Sequence, residues 1–209
     1  MSQPQLVLAS GSPRRRGLLE EAGYRFTVVA PRDGAEQAGL CSGCGPADVV
    51  VDLAVSKLDD VLEQLEGQGA DGPMIVVAAD TVAECDGEIL GKPRDEDHAR
   101  WMLQRLSGKL HRVYTGVALA IEAADHAERV TAEVIATVLR MDPLSEQWID
   151  AYLESGQWEG KAGAFGYQDG LGFVHVESGS ESNVVGLPME YLTERLAEAG
   201  CFPTAGGQA

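Results

Sequence analysis

The sequence has no run of about 20 apolar residues, the length that a transmembrane helix requires, so we expect no membrane partner. The first residues lack the basic stretch followed by an apolar stretch that marks a secretory signal, which predicts a cytoplasmic protein. Four cysteines are too few and too scattered for a disulfide scaffold. The four histidines show no spacing typical of metal ligands.

Basic residues are also scarce. The 16 Lys and Arg face 33 Asp and Glu, a formal net charge of −17. Such a surface repels nucleic acid and anionic lipid, so we expect no nucleic-acid partner. It does not exclude a small phosphorylated ligand, because a local group of basic side chains can bind one. With 209 residues, 44% of them hydrophobic, the chain is long enough for one packed domain over residues 1–209, of which we expect 203–209 to be a disordered tail.

Strand and helix patterns alternate along the chain, which predicts the α/β class. Strands are expected at 5–9, 24–30, 74–79, 113–121, 129–141 and in parts of 160–180. Helices are expected from about 13, 46, 96, 145 and 188. Asp86-Gly87 between two short apolar segments indicates a hairpin. The hairpin and the long adjacent strands favour a mixed sheet flanked by helices.

The segment from Ala9 to Arg16 follows the first strand and opens the first helix. Free backbone N–H groups and the helix dipole make such a turn suited to anions. Ser10 and Ser12 add hydroxyls, and consecutive arginines from Arg14 add guanidinium groups, which pair with phosphate oxygens. The alternative is a capped helix with a solvated basic start, but three of sixteen basic residues lie at this one point of an acidic chain.

Asp80 follows the most apolar segment of the chain, which is the expected strand 74–79. Ligands of open α/β sheets bind beyond the carboxyl ends of such strands. A carboxylate there can hold Mg²⁺ or accept a proton from water, or it can be an ordinary turn residue. Lys57 falls on the apolar stripe of the second helix, so it either extends to solvent or points into a site.

Three weaker signals remain. Lys92 in Gly91-Lys92-Pro93 can bind a phosphate, although an ordinary surface lysine would give the same pattern. Gln168 closes a glycine-rich stretch and offers both a donor and an acceptor, as a base edge requires, although a glycine-rich bend in a strand would give the same pattern. Cys41 and Cys44 form a lone CxxC; a zinc or thiol protein is a possible alternative reading, but zinc needs about four ligands.

Together, these segments resemble the Maf family of nucleoside triphosphate pyrophosphatases. The similarity covers roughly residues 5 to 200, and its blocks fall in the family's order. They are Leu8-Ala9-Ser10-Gly11-Ser12-Pro13-Arg14-Arg15, Ala79-Asp80-Thr81, residues 86–93, Leu106-Ser107-Gly108, residues 161–168 and Val184-Val185-Gly186-Leu187-Pro188. The resemblance implies an elongated α/β fold with a central cleft, related to inosine triphosphate pyrophosphatases. It also implies a homodimer and hydrolysis of the α–β phosphate bond with a divalent cation, Mg²⁺ or Mn²⁺.

The resemblance also implies roles for individual residues. The family's proton acceptor falls on Asp80, and its lysines fall on Lys57 and Lys92. Its phosphate-binding positions fall on Ser10, Ser12, Arg14 and Arg15. Arg14, Thr81 and Gln168 match the branch that hydrolyses dTTP and UTP; the branch that acts on 7-methyl-GTP carries tryptophan at the first position.

The chain departs from the family in the loop after the second strand, where an adjacent acidic pair is absent. Glu36 is the predicted metal-binding carboxylate, together with Asp80, and Asp33 is the reserve. The functional alternative is a nucleotide-binding regulator of cell division and septum formation that does not hydrolyse its ligand.

Overall fold

The computed structural model describes residues 3–34, 44–66, 72–122, 128–170 and 172–204. Six helices lie in these ranges: α1 (Pro13–Glu21), α2 (Pro46–Glu66), α3 (Glu96–Leu106), α4 (Glu146–Glu154), α5 (Glu181–Val185) and α6 (Met189–Glu198). The strands are β1 (Gln5–Ala9), β2 (Thr27–Val28), β3 (Met74–Cys85), β4 (Glu88–Leu90), β5 (Leu110–Glu122), β6 (Glu128–Met141) and β7 (Val174–Ser178). Two 3-10 turns, Ala162–Ala164 and Tyr167–Asp169, precede β7.

The strands form one sheet in the order β2-β1-β3-β5-β6-β7, and β4 also pairs with β3. Strands β2 and β3 run parallel to β1, whereas β4 and β5 are antiparallel to β3. Strand β6 is antiparallel to β5, and β7 to β6. This confirms the predicted mixed sheet, whose parallel part carries the helical crossover α2 and whose antiparallel part is built from hairpins.

Strand β3 is buried on both faces because helices cover both sides of it. Its residues Met74, Val76 and Ala78 pack with Ala54, Leu58 and Val61 of α2. The alternate residues Ile75, Val77 and Ala79 pack with Leu19 of α1 and with Leu192 and Leu196 of α6. Since successive side chains of a strand point to opposite faces, the even-numbered residues among 74–79 face α2 and the odd-numbered ones face α1 and α6.

A separate apolar cluster covers the far end of β3. Helix α3 buries its predicted stripe, Ala99, Met102, Leu103 and Leu106, in this cluster. The helix begins where predicted, since the Asp95 side chain accepts the His98 backbone N–H at 2.8 Å. The Asp86-Gly87 turn was also predicted correctly: both residues have positive φ, 52° and 82°, as a two-residue hairpin of this hand requires.

Three predicted elements were wrong in extent. Strand β3 does not stop at Ala79 but continues through Asp80 to Cys85, because β5 pairs with it along the whole length. The second strand covers two residues instead of 24–30. Residues 160–170 form turns rather than strands, since Gly163 and Gly170 adopt positive φ of 69° and 65°.

The chain after α6 returns to the beginning of the fold. The backbone N–H and the hydroxyl of Thr204 both donate to the carbonyl of Gly23, at 2.9 and 3.1 Å. Residues 205–209 of the predicted tail lie outside the described residues. Of the helices described, none combines the length and apolar character needed to cross a membrane.

Candidate functional site

A cleft of about 840 Å³ opens at a gap along one edge of β3. On that edge, β1 pairs with β3 as far as Ala78, and β4 begins to pair only at Ala83. Within the described ranges, no strand pairs with residues 79–82 on this side, while β5 pairs on the other. Asp80 therefore lies in the middle of its own strand, not at its end, but just beyond the carboxyl end of the parallel strand β1.

Because β1 ends there, the turn that follows it lies beside Asp80. The cleft is lined by nine of the predicted site residues: Ser10, Ser12, Arg14, Arg15, Lys57, Asp80, Thr81, Lys92 and Gln168. The structure thus brings the basic start of α1 and the carboxylate of β3 into one groove, which the sequence interpretation required. The individual roles of these residues stay predictions. Glu36 lies outside the described residues, whereas its reserve, Asp33, lines the cleft.

Lys57 reaches into the cleft from the apolar face of α2. Its side chain is 5% exposed, and its Nζ lies 2.5 Å from Oδ1 of Asp80. A buried lysine at a helical stripe position is stabilised by such a partner, since an unpaired buried ammonium would be costly. Of the two readings of Lys57, the structure therefore supports the one in which it points into a site.

The distance between α2 and the sheet is set at Gly116, which is the cross-strand partner of Asp80 in β5. A Cβ at this position would overlap the backbone carbonyl of Val50. The helix can approach the sheet this closely only because the residue is glycine. Val50 precedes Lys57 by about two helical turns. The contact between Val50 and Gly116 therefore fixes the distance of α2 from the sheet and, with it, the position of Lys57 relative to Asp80.

Arg15 lies on the other face of β3 and is 9% exposed. Its Nε donates to the carbonyl of Gly186 at 2.7 Å, its Nη1 to Ser10 Oγ at 3.3 Å and its Nη2 to Thr81 Oγ1 at 3.1 Å. Arg14 is half-buried, and its Nη2 donates to the carbonyl of Gly160 at 3.1 Å in an exposed hydrogen bond. The two adjacent arginines thus differ: one is bonded within the buried fold, and the other reaches across the mouth of the cleft.

Ser12 occupies the N-cap position of α1, as predicted, but its side chain does not cap the helix. Instead, its backbone N–H donates to Ser10 Oγ at 3.2 Å. Ser10 Oγ therefore accepts two hydrogen bonds, one from Ser12 and one from Arg15. A serine hydroxyl has two acceptor sites and one proton, so its proton remains to donate towards the cleft.

The opposite wall of the cleft is the segment from Glu159 to Gln168. Lys161 and Asp169 form an ion pair across it, with side chains 13% and 24% exposed. The pair passes directly over Gly166, where a Cβ would overlap the Asp169 carboxylate and lie 2.7 Å from Lys161 Nζ. This ion pair closes the segment that carries Gln168 into a compact loop, which we call the rim loop (residues 160–169).

Phe165 of the rim loop lines the cleft and packs edge-on against His111 of β5, with ring centroids 5.5 Å apart. Burial of the imidazole lowers its pKa to about 4. His111 is therefore neutral at physiological pH and acts as part of the apolar support for the rim loop.

Sequence reasoning missed three charged residues that line the cleft: Arg32, Glu159 and Lys161. Arg32 is held to α2 by ion pairs with Asp60 at 2.6 Å and Glu63 at 2.8 Å. These contacts fix the position of the neighbouring Asp33 relative to α2. Arg32 could have been found as a basic residue in an otherwise acidic stretch. Lys161 belongs to the block of residues 161–168 but has no distinct signal of its own.

The carboxylates of Asp33 and Asp80 are the described candidates for a divalent cation. No cluster of three or more His, Cys, Asp or Glu suited to a metal occurs among the described residues. Mg²⁺ binds through one or two carboxylates, with water and substrate phosphates completing its shell. The residues present therefore fit a cation shared with a phosphorylated ligand better than a cage made of protein alone.

Comparison with known proteins gives a consistent result. The family described as Maf-like protein matches residues 5–199. A dTTP/UTP pyrophosphatase of Rhodopirellula baltica is 49% identical over 192 residues, which cover 91% of this chain and 80% of the relative. One of Symbiobacterium thermophilum is 40% identical and covers 97% of this chain and 98% of the relative. Among solved structures, a HAM1 protein from Coxiella burnetii is 14% identical, with a TM-score of 0.47 over 94% of this chain and 100% of that one.

The similarity at the level of sequence spans both walls of the cleft, from the turn after β1 to the segment before α6. The chain belongs to the Maf-like protein family.

Proposed function

We propose that this protein hydrolyses dTTP and UTP to the monophosphate and pyrophosphate, a house-cleaning activity on nucleotide pools, with modified pyrimidine nucleotides as further candidate substrates. The observation that carries the proposal is the placement of Arg15 and Ser10 in the same cleft as the Lys57–Asp80 pair. The relatives that are 40% and 49% identical bear the name dTTP/UTP pyrophosphatase. A triphosphate needs cationic and N–H donors along its length and a carboxylate beside the bond that breaks.

In the proposed reaction, a water attacks the α phosphorus in line, the bond to the α–β bridging oxygen breaks, and pyrophosphate leaves with its electron pair. Asp80 accepts the proton of the water. Since Lys57 contacts Oδ1, the second oxygen of the carboxylate, Oδ2, is the candidate acceptor. Lys57 holds Asp80 in place and, with Lys92, adds positive charge beside the phosphates. Catalysis then consists of positioning and charge stabilisation.

A divalent cation, Mg²⁺ or Mn²⁺, is part of the proposal. Asp80 with Asp33 or Glu36 would hold it, and it would neutralise charge on the phosphate oxygens. The lining of the cleft supports this arrangement, because Asp33 and Asp80 offer two carboxylates in the same groove as the basic residues that would bind the phosphates.

Base recognition is proposed to fall on Arg14, Thr81 and Gln168, which line the cleft on both sides of the gap in the sheet. Gln168 belongs to the rim loop and can donate and accept at a base edge. Thr81 is already engaged by Arg15, so it offers the ligand its methyl group and a remaining acceptor position.

A homodimer in the cytoplasm is also proposed. In the described part of the sheet, β7 pairs with β6 only at Val138–Met141, so β6 has a free edge before that point. Val130 and Val134 on this stretch are 49% and 38% exposed. An exposed strand edge with apolar side chains is a common site of pairing between copies of a chain.

The test is a nucleotide panel with Mg²⁺ or Mn²⁺, in which pyrophosphate and orthophosphate are assayed separately. We expect pyrophosphate from dTTP and UTP, at higher kcat/KM than from purine triphosphates. Orthophosphate as the sole product would mean that a different bond is cut. Binding without hydrolysis under every metal condition would favour the nucleotide-binding regulator instead.

A further inference from the structure

A chain of hydrogen bonds, part-buried at Thr81 and buried at Thr115, leads from Arg15 into the interior of the protein. Arg15 Nη2 donates to Thr81 Oγ1. Thr81 Oγ1 lies 3.0 Å from Oγ1 of Thr115, and Thr115 Oγ1 donates to the backbone carbonyl of Asn183 at 3.1 Å. Thr115 is fully buried and does not line the cleft.

The direction of each bond follows from counting protons. A threonine hydroxyl has one proton, and a carbonyl can only accept. The proton of Thr115 therefore goes to Asn183, so in the contact between the two hydroxyls Thr81 must be the donor and Thr115 the acceptor. The whole chain runs one way, from the Arg15 guanidinium through Thr81 and Thr115 to the Asn183 carbonyl.

This order fixes the Thr81 hydroxyl in a single orientation. Because its proton points at Thr115, a lone pair of its oxygen faces Arg15 and accepts the Nη2 proton. Without Thr115, the Thr81 hydroxyl could rotate and present its proton to the guanidinium, which is a repulsive arrangement. Arg15 in turn holds Ser10 through Nη1, and Ser10 is the hydroxyl whose proton is left for the ligand.

We propose that Thr115 is a positioning residue for the phosphate-binding end of the cleft, acting on Arg15 and Ser10 through Thr81. The proposal rests on the proposed function for its choice of substrate. Its geometric part depends only on this chain of hydrogen bonds, which no ligand is needed to form.

The last acceptor in this chain of hydrogen bonds, Asn183, is fixed by further contacts. Asn183 is fully buried on α5, and its Nδ2 donates to the carbonyl of Val113 at 3.3 Å and to Thr137 Oγ1 at 2.9 Å. Thr137 Oγ1 also donates to the carbonyl of Ser180 and accepts its N–H, both at 3.1 Å. Thr137 thus binds the same helix as Thr115 and is equally buried, but it has no bond to Thr81. It is a matched control.

The experiment compares Thr115→Val, Thr115→Ser and Thr137→Val in the full chain. Valine keeps the shape of threonine and removes the hydroxyl. We expect Thr115→Val to raise the KM for dTTP about tenfold, the equivalent of about 1.4 kcal/mol, with kcat changed less than about threefold. Thr115→Ser keeps the hydroxyl and should retain a KM within about twofold of the wild type. Thr137→Val should lower the Tm by a similar amount to Thr115→Val and leave the KM unchanged.

A wild-type KM in Thr115→Val would overturn the proposal. An equal rise in KM in Thr137→Val would do so as well, because the effect would then come from a loosened α5. If Thr115→Val does not fold, Thr115→Cys, with a weak donor in place of the hydroxyl, should give an intermediate rise in KM, and a wild-type KM there would refute the proposal.

The same variants are titrated calorimetrically with a non-hydrolysable α,β-imido analogue of dUTP. An inactive wild type that binds this analogue would refute hydrolysis, while the affinities of the variants would still decide the role of Thr115. A wild type that fails to bind it would overturn both proposals.

Discussion

The two walls of the cleft are held in different ways. Arg15, on one wall, is bonded to groups that lie 5, 66 and 171 residues away in sequence. The rim loop, on the other wall, is closed by the Lys161–Asp169 ion pair, whose members are eight residues apart and partly exposed. Buried hydrogen bonds to a charged group contribute about 1.5–3 kcal/mol each, whereas exposed ion pairs contribute about 0–1 kcal/mol.

The difference shows that the wall carrying Arg15 is part of the folding core, while the rim loop is a local structure added to it. Changes in the first wall should affect stability and ligand binding together. Changes in the second should affect binding with little loss of stability. Five substitutions test this contrast, and the largest effect is expected at Asp80, the proposed proton acceptor.

Asp80→Asn should lower kcat about a thousandfold, because general acid–base groups contribute about 10²–10⁴-fold. The fold should remain intact, since asparagine is isosteric and Lys57 can still donate to its oxygen. Steady-state pyrophosphate release and the Tm measure the two quantities. Asp86→Asn in the exposed hairpin turn is the control and should behave as the wild type. Normal turnover in Asp80→Asn would remove this residue from the mechanism.

Gly116→Ala should lower both stability and kcat, by about 3 kcal/mol and about thirtyfold, because the added methyl group forces α2 away from the sheet and Lys57 away from Asp80. Urea unfolding and turnover at saturating substrate measure these effects. Gly17→Ala on α1 is the matched control: nothing lies within 4 Å of its Cβ position, and alanine favours a helix. If Gly116→Ala is destabilised but turns over normally, the distance of α2 from the sheet does not determine the geometry of the Lys57–Asp80 ion pair.

Asp169→Asn and Gly166→Ala should each raise the KM for dTTP about fivefold and reduce the preference for pyrimidines, because both remove the ion pair that closes the rim loop. The φ of Gly166 is −117°, so alanine adds no backbone strain there. The Tm should change by less than about 2 °C, as expected for the loss of an exposed ion pair in a domain of this size. A large fall in Tm would contradict the distinction between the two walls.

His111→Leu should have the smallest effect at neutral pH and should act on stability alone. The pKa of His111 is about 4 in the folded protein and about 6.5 when unfolded. The unfolded state therefore binds more protons between these values, and stability is complete above pH 6.5 and falls as the pH drops towards 4. The variant should lack this part of the decline, about 2 kcal/mol at pH 5. Urea unfolding at pH 7 and pH 5 measures it, and equal declines in both proteins would refute the assignment.

Much of the fold was predictable because local patterns and tertiary structure agree. The apolar stripes of α2 and α3 are buried as expected, and Asp95 and the Asp86-Gly87 turn mark boundaries by their own local chemistry. The extent of β3 was not predictable in this way. Two polar residues, Asp80 and Thr81, interrupt its apolar run, and only pairing with β5 keeps them within the strand.

The membership of the site was predictable from motifs, but the arrangement within it was not. Arg14 and Arg15 are adjacent and chemically identical in sequence, yet one is half-buried and the other buried. Their difference depends on Gly186 and Thr81, which are distant in the chain. Thr115 and Lys161 gave no distinct signal, since a threonine in a strand and a lysine near glycines are common.

The gap along β3 allows one strand to present side chains from both of its faces to a single ligand. Asp80 meets α2 on one face, and Thr81 meets Arg15 on the other. On the proposed assignments, the proton acceptor and a residue that recognises the base would be adjacent in sequence yet lie on opposite faces of one strand. A substitution at Thr81 would then act on the ligand by way of Arg15 and Ser10, whereas one at Asp80 would act by way of Lys57.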